Sequence, residues 1–108
     1  VLNTTVSPTA AVTSNATTAI GVVGTIHAAG LRVPDDISVV GFDDIELSQY
    51  LLPPLTTVRV PRTEIASRAF TALYASSHKG AEQGIAYEIP TELVILQSTG
   101  LARDSQIA

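Results

Sequence analysis

Cysteine is absent from this chain. It can hold neither a disulfide framework nor a thiolate metal site. That absence is compatible with a reducing cytoplasm. Charge is also scarce, at 15% of residues against 45% apolar. The six basic residues, Arg32, Arg59, Arg62, Arg68, Lys79 and Arg103, form no run, and ten acidic residues bring the net charge to −4. A phosphate backbone demands a cationic patch, so this composition argues against direct nucleic-acid contact. Histidine occurs only at His27 and His78, which argues against a metal site. No run approaches the roughly 20 apolar residues of a membrane-spanning helix. No charged segment precedes an apolar one as in a secretory leader.

What remains is a short, apolar chain. Its 108 residues suffice for one small domain, and its mean hydropathy is +0.32. Small domains bury a smaller share of their surface. The apolar excess therefore points to a missing partner surface, as in a piece of a longer protein or a chain that lives in an oligomer. The first residue, Val1 rather than Met, fits that expectation.

The pattern along the chain is that of an α/β fold. "PTAAVTS" (8–14) reads as a strand. "NATTAIGVVGTIHAAG" (15–30) reads as a helix, capped by Asn15, with Ala19, Val22, Val23, Ile26 and Ala29 at three- and four-residue spacing and Gly30 just past its end. Pro34 bars continuation through "LRVPDD", and "ISVVGF" (37–42) reads as a buried parallel strand. Residues 43–54 read as loop with one helical turn, 55–60 as a strand, and 61–80 as a second helix with Pro61 in its first turn. Ile65, Ala66, Ala69, Phe70 and Leu73 form the apolar stripe of that helix. Segments 86–90 and 91–99 read as two further strands, and 100–108 as a frayed tail. The expected order is β-α-β-loop-β-α-β-β.

Asp43 and Asp44 follow the third apolar run directly. In open α/β sheets, ligands sit beyond the carboxyl ends of parallel strands. Asp43 and Asn15 fall at two such ends. An amide both donates and accepts, while a carboxylate only accepts. Together they suit the hydroxyls of a sugar or polyol, or the ring N–H groups of a base. The plainer alternatives stand beside this one. Asp favours turns and helix caps, Asp44 is placed to cap the turn at 45–49, and Asn15 can simply cap its helix. Paired carboxylates can also serve an enzyme. Adjacent strand residues point to opposite faces, however, and neither His sits at a strand end. No nucleophile–base–orienter set can be assembled, so the chain is not expected to be an enzyme, and no cofactor is implied. Gly21 and Gly24 lie inside a helix, where they read as allowing close packing rather than as a phosphate loop.

Two stretches, "GLRVPDDISVVGFDD" (30–44) and "PPLTTV" (53–58), go beyond pattern. They resemble the C-terminal part of the regulatory core of LacI/GalR family transcriptional regulators, and the resemblance extends over residues 8–99. It implies a periplasmic-binding-protein-like fold of two α/β subdomains around a cleft. Residues 8–54 and 86–99 would belong to the C-terminal subdomain. Residues 56–85 would supply a crossover and, with 61–79, a helix of the other subdomain. The first half of the core and the DNA-binding headpiece would lie outside the chain. The parent would be a cytoplasmic regulator that responds to a small, often sugar-like, effector and acts as a homodimer. DNA would be bound only through the headpiece, and no membrane is involved. By resemblance, Asn15 and Asp43 would face the ligand, with Val60 and Arg62 on the crossing segment. Ile20, Gly24, His27, Leu47 and Leu51 would lie at the dimer surface, ordinary core packing being the alternative for the apolar ones. The family often has Asp after that Asn; here Ala16 stands instead. A soluble sugar-binding receptor of a transport system shares the same implied fold.

Overall fold

In a computed structural model of the chain, the structure describes residues 7–43, 45–79 and 86–104. The elements run β1 (Ala10–Val12), α1 (Ala16–Ala28), β2 (Ser38–Phe42), α2 (Ile45–Ser48), β3 (Thr56–Arg59), α3 (Arg62–Lys79) and β4 (Glu92–Val94). The strands form one sheet in the order β1-β2-β3-β4. Both β1–β2 and β2–β3 are parallel. The α/β class and the parallel βαβ unit expected from the sequence are present.

The chain divides into two units. The first comprises residues up to Arg59 and from Leu93 onward; the second is Val60–Glu92. In the first, α1 buries Ala16, Ala19, Val23 and Ile26 against Val33, Ile37, Val39 and Leu55. These helix positions follow three- and four-residue steps, so they share one face. Half-buried Val22, Leu31, Leu47 and Leu51 pack around that cluster. Full burial of such side chains contributes about 1.5–3 kcal/mol each. The helix closes on Gly30, whose φ of +79° suits a residue without Cβ.

Gly41 is the tightest point. A Cβ built there would stand 2.6 Å from Leu55 Cδ2 and 3.6 Å from Ala19 Cβ. Gly21 and Gly24 are the reverse: added Cβ atoms would meet nothing within 4 Å. The expectation that they allow close packing is not met within this chain, because they lie on the side of α1 away from the sheet.

The last third departs from expectation in three places. Residues 86–90 are not a strand: no described backbone bond ladders them, and Pro90 has no N–H to offer. The run 91–99 is a strand only at Glu92–Val94. Beyond it, the backbone bonds singly rather than in a ladder. Leu96 N donates to Thr56 Oγ1 at 2.9 Å, Gln97 N to Pro54 O at 2.9 Å, and Val39 N to Ser98 O at 2.9 Å. Buried Ser98 Oγ accepts from Thr56 N at 2.8 Å and donates to Val39 O. Nor is 100–104 frayed. Gly100 N donates to Ser38 Oγ at 3.0 Å. Arg103 Nη1 donates to Pro8 O at 2.8 Å and Asp36 O at 2.6 Å, joining the tail to the entries of β1 and β2. Residues 105–108 lie outside the described residues.

In the second unit, α3 is an 18-residue helix. Its stripe stays uncovered: Ile65, Phe70, Leu73 and Tyr74 are exposed, and the Phe70 and Tyr74 rings pair in a tilted arrangement with centroids 6.2 Å apart. Gly80, expected to end this helix, lies outside the described residues.

Two glycine substitutions separate these environments. Gly41→Ala is expected to lower unfolding stability by about 1–3 kcal/mol through overpacking on Leu55. Gly24→Ala is expected to raise it by up to about 1 kcal/mol through helix propensity. Urea denaturation of the two variants checks both signs.

Candidate functional site

β1 ends at Val12, and β2 runs on two residues past the Val12–Val40 pair, to Phe42. Val12 pairs with Val40, so Asn15 and Asp43 each stand three residues beyond a paired couple. Thr13 ties the two ends together. Its N–H donates to Val40 O at 2.8 Å, and its buried hydroxyl lies 3.0 Å from Val40 O and 3.1 Å from Asn15 O. One hydroxyl proton is shared between those two acceptors.

Asn15 caps α1. Its backbone is extended, at φ −161° and ψ 170°, and Oδ1 accepts from Thr18 N at 2.7 Å. The amide nitrogen Nδ2 has a long 3.5 Å contact to Ser14 Oγ. Oδ1 is therefore committed to the cap, and Nδ2 is the atom suited to donating outward. Ala16, where the family often has Asp, is 3% exposed and belongs to the core cluster. A carboxylate at that position of this fold would need a buried partner. The cap itself is intact without one.

Asp43 has a φ of 65°, the single positive value among the described non-glycine residues. Left-handed backbone costs an ordinary residue roughly 1–2 kcal/mol, less for Asp. β3 holds it there: Asp43 N donates to Val58 O at 2.8 Å, and Thr57 Oγ1 donates to Asp43 O at 3.1 Å. Asp44 and the cap expected of it lie outside the described residues.

The other candidate residues fall in separate places. Val60 and Arg62 belong to the second unit. Val60 is half-buried and its carbonyl accepts from Arg62 N at 2.8 Å; Arg62 opens α3 and is exposed. Ile20, Gly24 and His27 are exposed on α1 at four- and three-residue spacing, which places them on one face. Leu47 and Leu51 are half-buried and pack against the core of the first unit. Among the described residues, no group of three or more His, Asp or Glu could hold a metal ion. No helix among them is long and apolar enough to cross a membrane. Thr13 and Thr57, which hold Asn15 and Asp43, were not singled out by sequence. The available signal was a threonine inside or next to a buried parallel strand, where its hydroxyl needs an acceptor.

With this geometry the chain can be set beside known proteins. Residues 2–99 match the sequence profile of the periplasmic binding protein-like domain. The chain belongs to that family. The transcriptional repressor PurR of Vibrio campbellii is 39% identical over 88 residues, covering 82% of this chain and 26% of that protein. The lac repressor dimer bound to operator and the anti-inducer ONPF superposes with a TM-score of 0.79 at 37% identity, over 85% of this chain and 32% of that one. A LacI family regulator from Enterococcus faecalis with bound ribose gives a TM-score of 0.79 at 28% identity, over 91% of this chain and 36% of that one. The likeness to the LacI/GalR regulatory core therefore holds in both sequence and fold. The chain spans about a quarter of the length of the curated relatives it matches. PurR and the lac repressor are transcriptional repressors.

The cap makes a direct prediction. Asn15→Ala is expected to cost about 1 kcal/mol of stability, while Asn15→Asp keeps an acceptor for Thr18 N and stays near wild type. Thermal unfolding followed by circular dichroism at 222 nm checks the difference.

Proposed function

We propose that this chain is the C-terminal part of the effector-binding and dimerisation core of a bacterial LacI/GalR-type regulator, cytoplasmic and acting on DNA through a separate headpiece. Residues 8–54 and 86–99 belong to the C-terminal subdomain. Residues 56–85 supply the crossing segment and a helix of the N-terminal subdomain. The effector is a small sugar-like molecule. The observation that carries this reading is the register that puts Asn15 and Asp43 each three residues past the Val12–Val40 pair of two adjacent parallel strands, in a chain related to repressors. The amide nitrogen donates and the carboxylate accepts, a combination suited to vicinal hydroxyls. Val60 and Arg62 add contacts from the crossing segment. Effector binding shifts the population of two conformations with different DNA affinity.

Ile20, Gly24 and His27 form the dimer face on α1, supported by their exposure on one side of the helix. Leu47 and Leu51, half-buried against the core, contribute from the segment after β2. The repressor relatives favour this reading over a transport receptor of the same fold.

Two measurements test it. Calorimetry of the full-length protein against a panel of sugars and nucleobases, ribose and ONPF included, is expected to find a ligand. Asp43→Ala is expected to weaken that ligand at least about tenfold, the usual cost of a lost charge-assisted hydrogen bond. Unchanged affinity would remove Asp43 from the site. In sedimentation, the protein is expected to self-associate, and Ile20→Glu to shift it towards monomer. A strictly monomeric wild type at working concentration would sink the dimer assignment.

A further inference from the structure

We infer that Thr57 is the positioning residue of Asp43; the inference deepens the site reading above and rests on Asp43 as an effector contact. Thr57 is fully buried. A buried hydroxyl needs a partner, and the one it has is Asp43 O, at 3.1 Å. This bond is not part of the β2–β3 ladder. It is a side-chain bond from the neighbouring strand onto the backbone of the residue just past β2. The ladder itself supplies the second tie, from Asp43 N to Val58 O. With both its N–H and its C=O held by β3, Asp43 keeps the left-handed φ of 65°. A non-glycine residue persists there only when its surroundings over-determine it. Without the hydroxyl, the tie from β3 to the Asp43 carbonyl is lost. The carbonyl is then free to turn towards ordinary extended backbone, and the direction of the Asp43 side chain changes with it.

The adjacent threonine makes the division clear. Thr56 Oγ1 accepts from Leu96 N at 2.9 Å and pairs with Thr99 Oγ1 at 2.9 Å. Successive strand residues face opposite sides. One hydroxyl of the pair therefore serves the returning tail and the other serves Asp43. Thr57 touches no ligand in this scheme; it sets the direction of the residue that does.

The test uses the full-length, isotope-labelled protein with Thr57→Val and Thr57→Ser. Valine keeps the branched shape and removes the hydroxyl; serine keeps the hydroxyl. In Thr57→Val, the Asp43 amide is expected to exchange about tenfold faster and its H–N–Cα–H coupling to move towards the extended value. Affinity for whichever panel sugar or nucleobase binds wild type is expected to fall about tenfold. Thr57→Ser is expected to restore all three. Thr57→Ala replaces the valine variant should that one not fold. Wild-type exchange and coupling at Asp43 in the hydroxyl-free variant would overturn the inference. So would protection lost evenly across β2 and β3, or failure of serine to rescue. If Asp43→Ala binds normally, the site reading fails, while the exchange and coupling data still decide what Thr57 does. If Asp43→Ala loses affinity and Thr57→Val does not, the site reading stands and this inference falls.

Discussion

The first unit depends on one missing methyl group. Gly41 lies in the middle strand, and its bare Cα lets Leu55 and Ala19 close directly over the sheet. Leu55 leads into β3, and Ala19 lies on the buried face of α1. The close approach is to Leu55, at the entry of β3, while Ala19 of the covering helix lies at ordinary contact distance. In the register around it, Val12 stands against Val40, and Phe42 against Val58. From that register comes the placement of Asn15 and Asp43, each three residues past the Val12–Val40 pair. A core this tight over a glycine has little room to adjust.

Much of the first unit is legible in sequence because its signals are local. The three- and four-residue spacing in 15–30, the cap at Asn15, the left-handed Gly30 and the apolar run before Asp43 each concern a few adjacent residues. All of these appear in the fold with boundaries shifted by a residue or two. The last third is not legible for the opposite reason. "ELVILQST" has the apolar, β-branched composition of a long strand, but its middle and end make isolated bonds, several through the hydroxyls of Thr56 and its own Ser98, rather than a ladder. Propensity reports what a segment prefers, not which acceptors await it. Arg103 is the plainest case. As one scattered cation it carried no meaning in sequence, yet it bridges two carbonyl oxygens from distant parts of the chain. At the site, Asn15 and Asp43 could be marked by strand-end position, but the hydroxyls that hold them could not, because those bonds depend on strand order.

Composition and structure agree on another point. The described residues leave apolar surface uncovered: Val12 is 81% exposed and Leu52 83% exposed, and the apolar stripe of α3 faces outward. Parallel sheets are ordinarily covered on both faces, and here α1 covers one. The low charge content leaves little polar surface to screen the other. A chain spanning about a quarter of its relatives' length has the composition of an interior, read without its surroundings.

The bonds of the returning segment also set an order in time. Ser98 bonds Val39 from 59 residues away, and Arg103 reaches Asp36 from 67 residues away. During synthesis, β1, α1 and β2 leave the ribosome well before the hydroxyl and guanidinium that finish their edges. Contacts of long sequence separation form late and slowly. Until residues 96–103 arrive, the amide of Val39 and the side chain of Ser38 lack those bonds, and the half-made sheet offers them to whatever strand is near. The nascent chain is thus most vulnerable to wrong pairing while its central strand exists and its last segment does not.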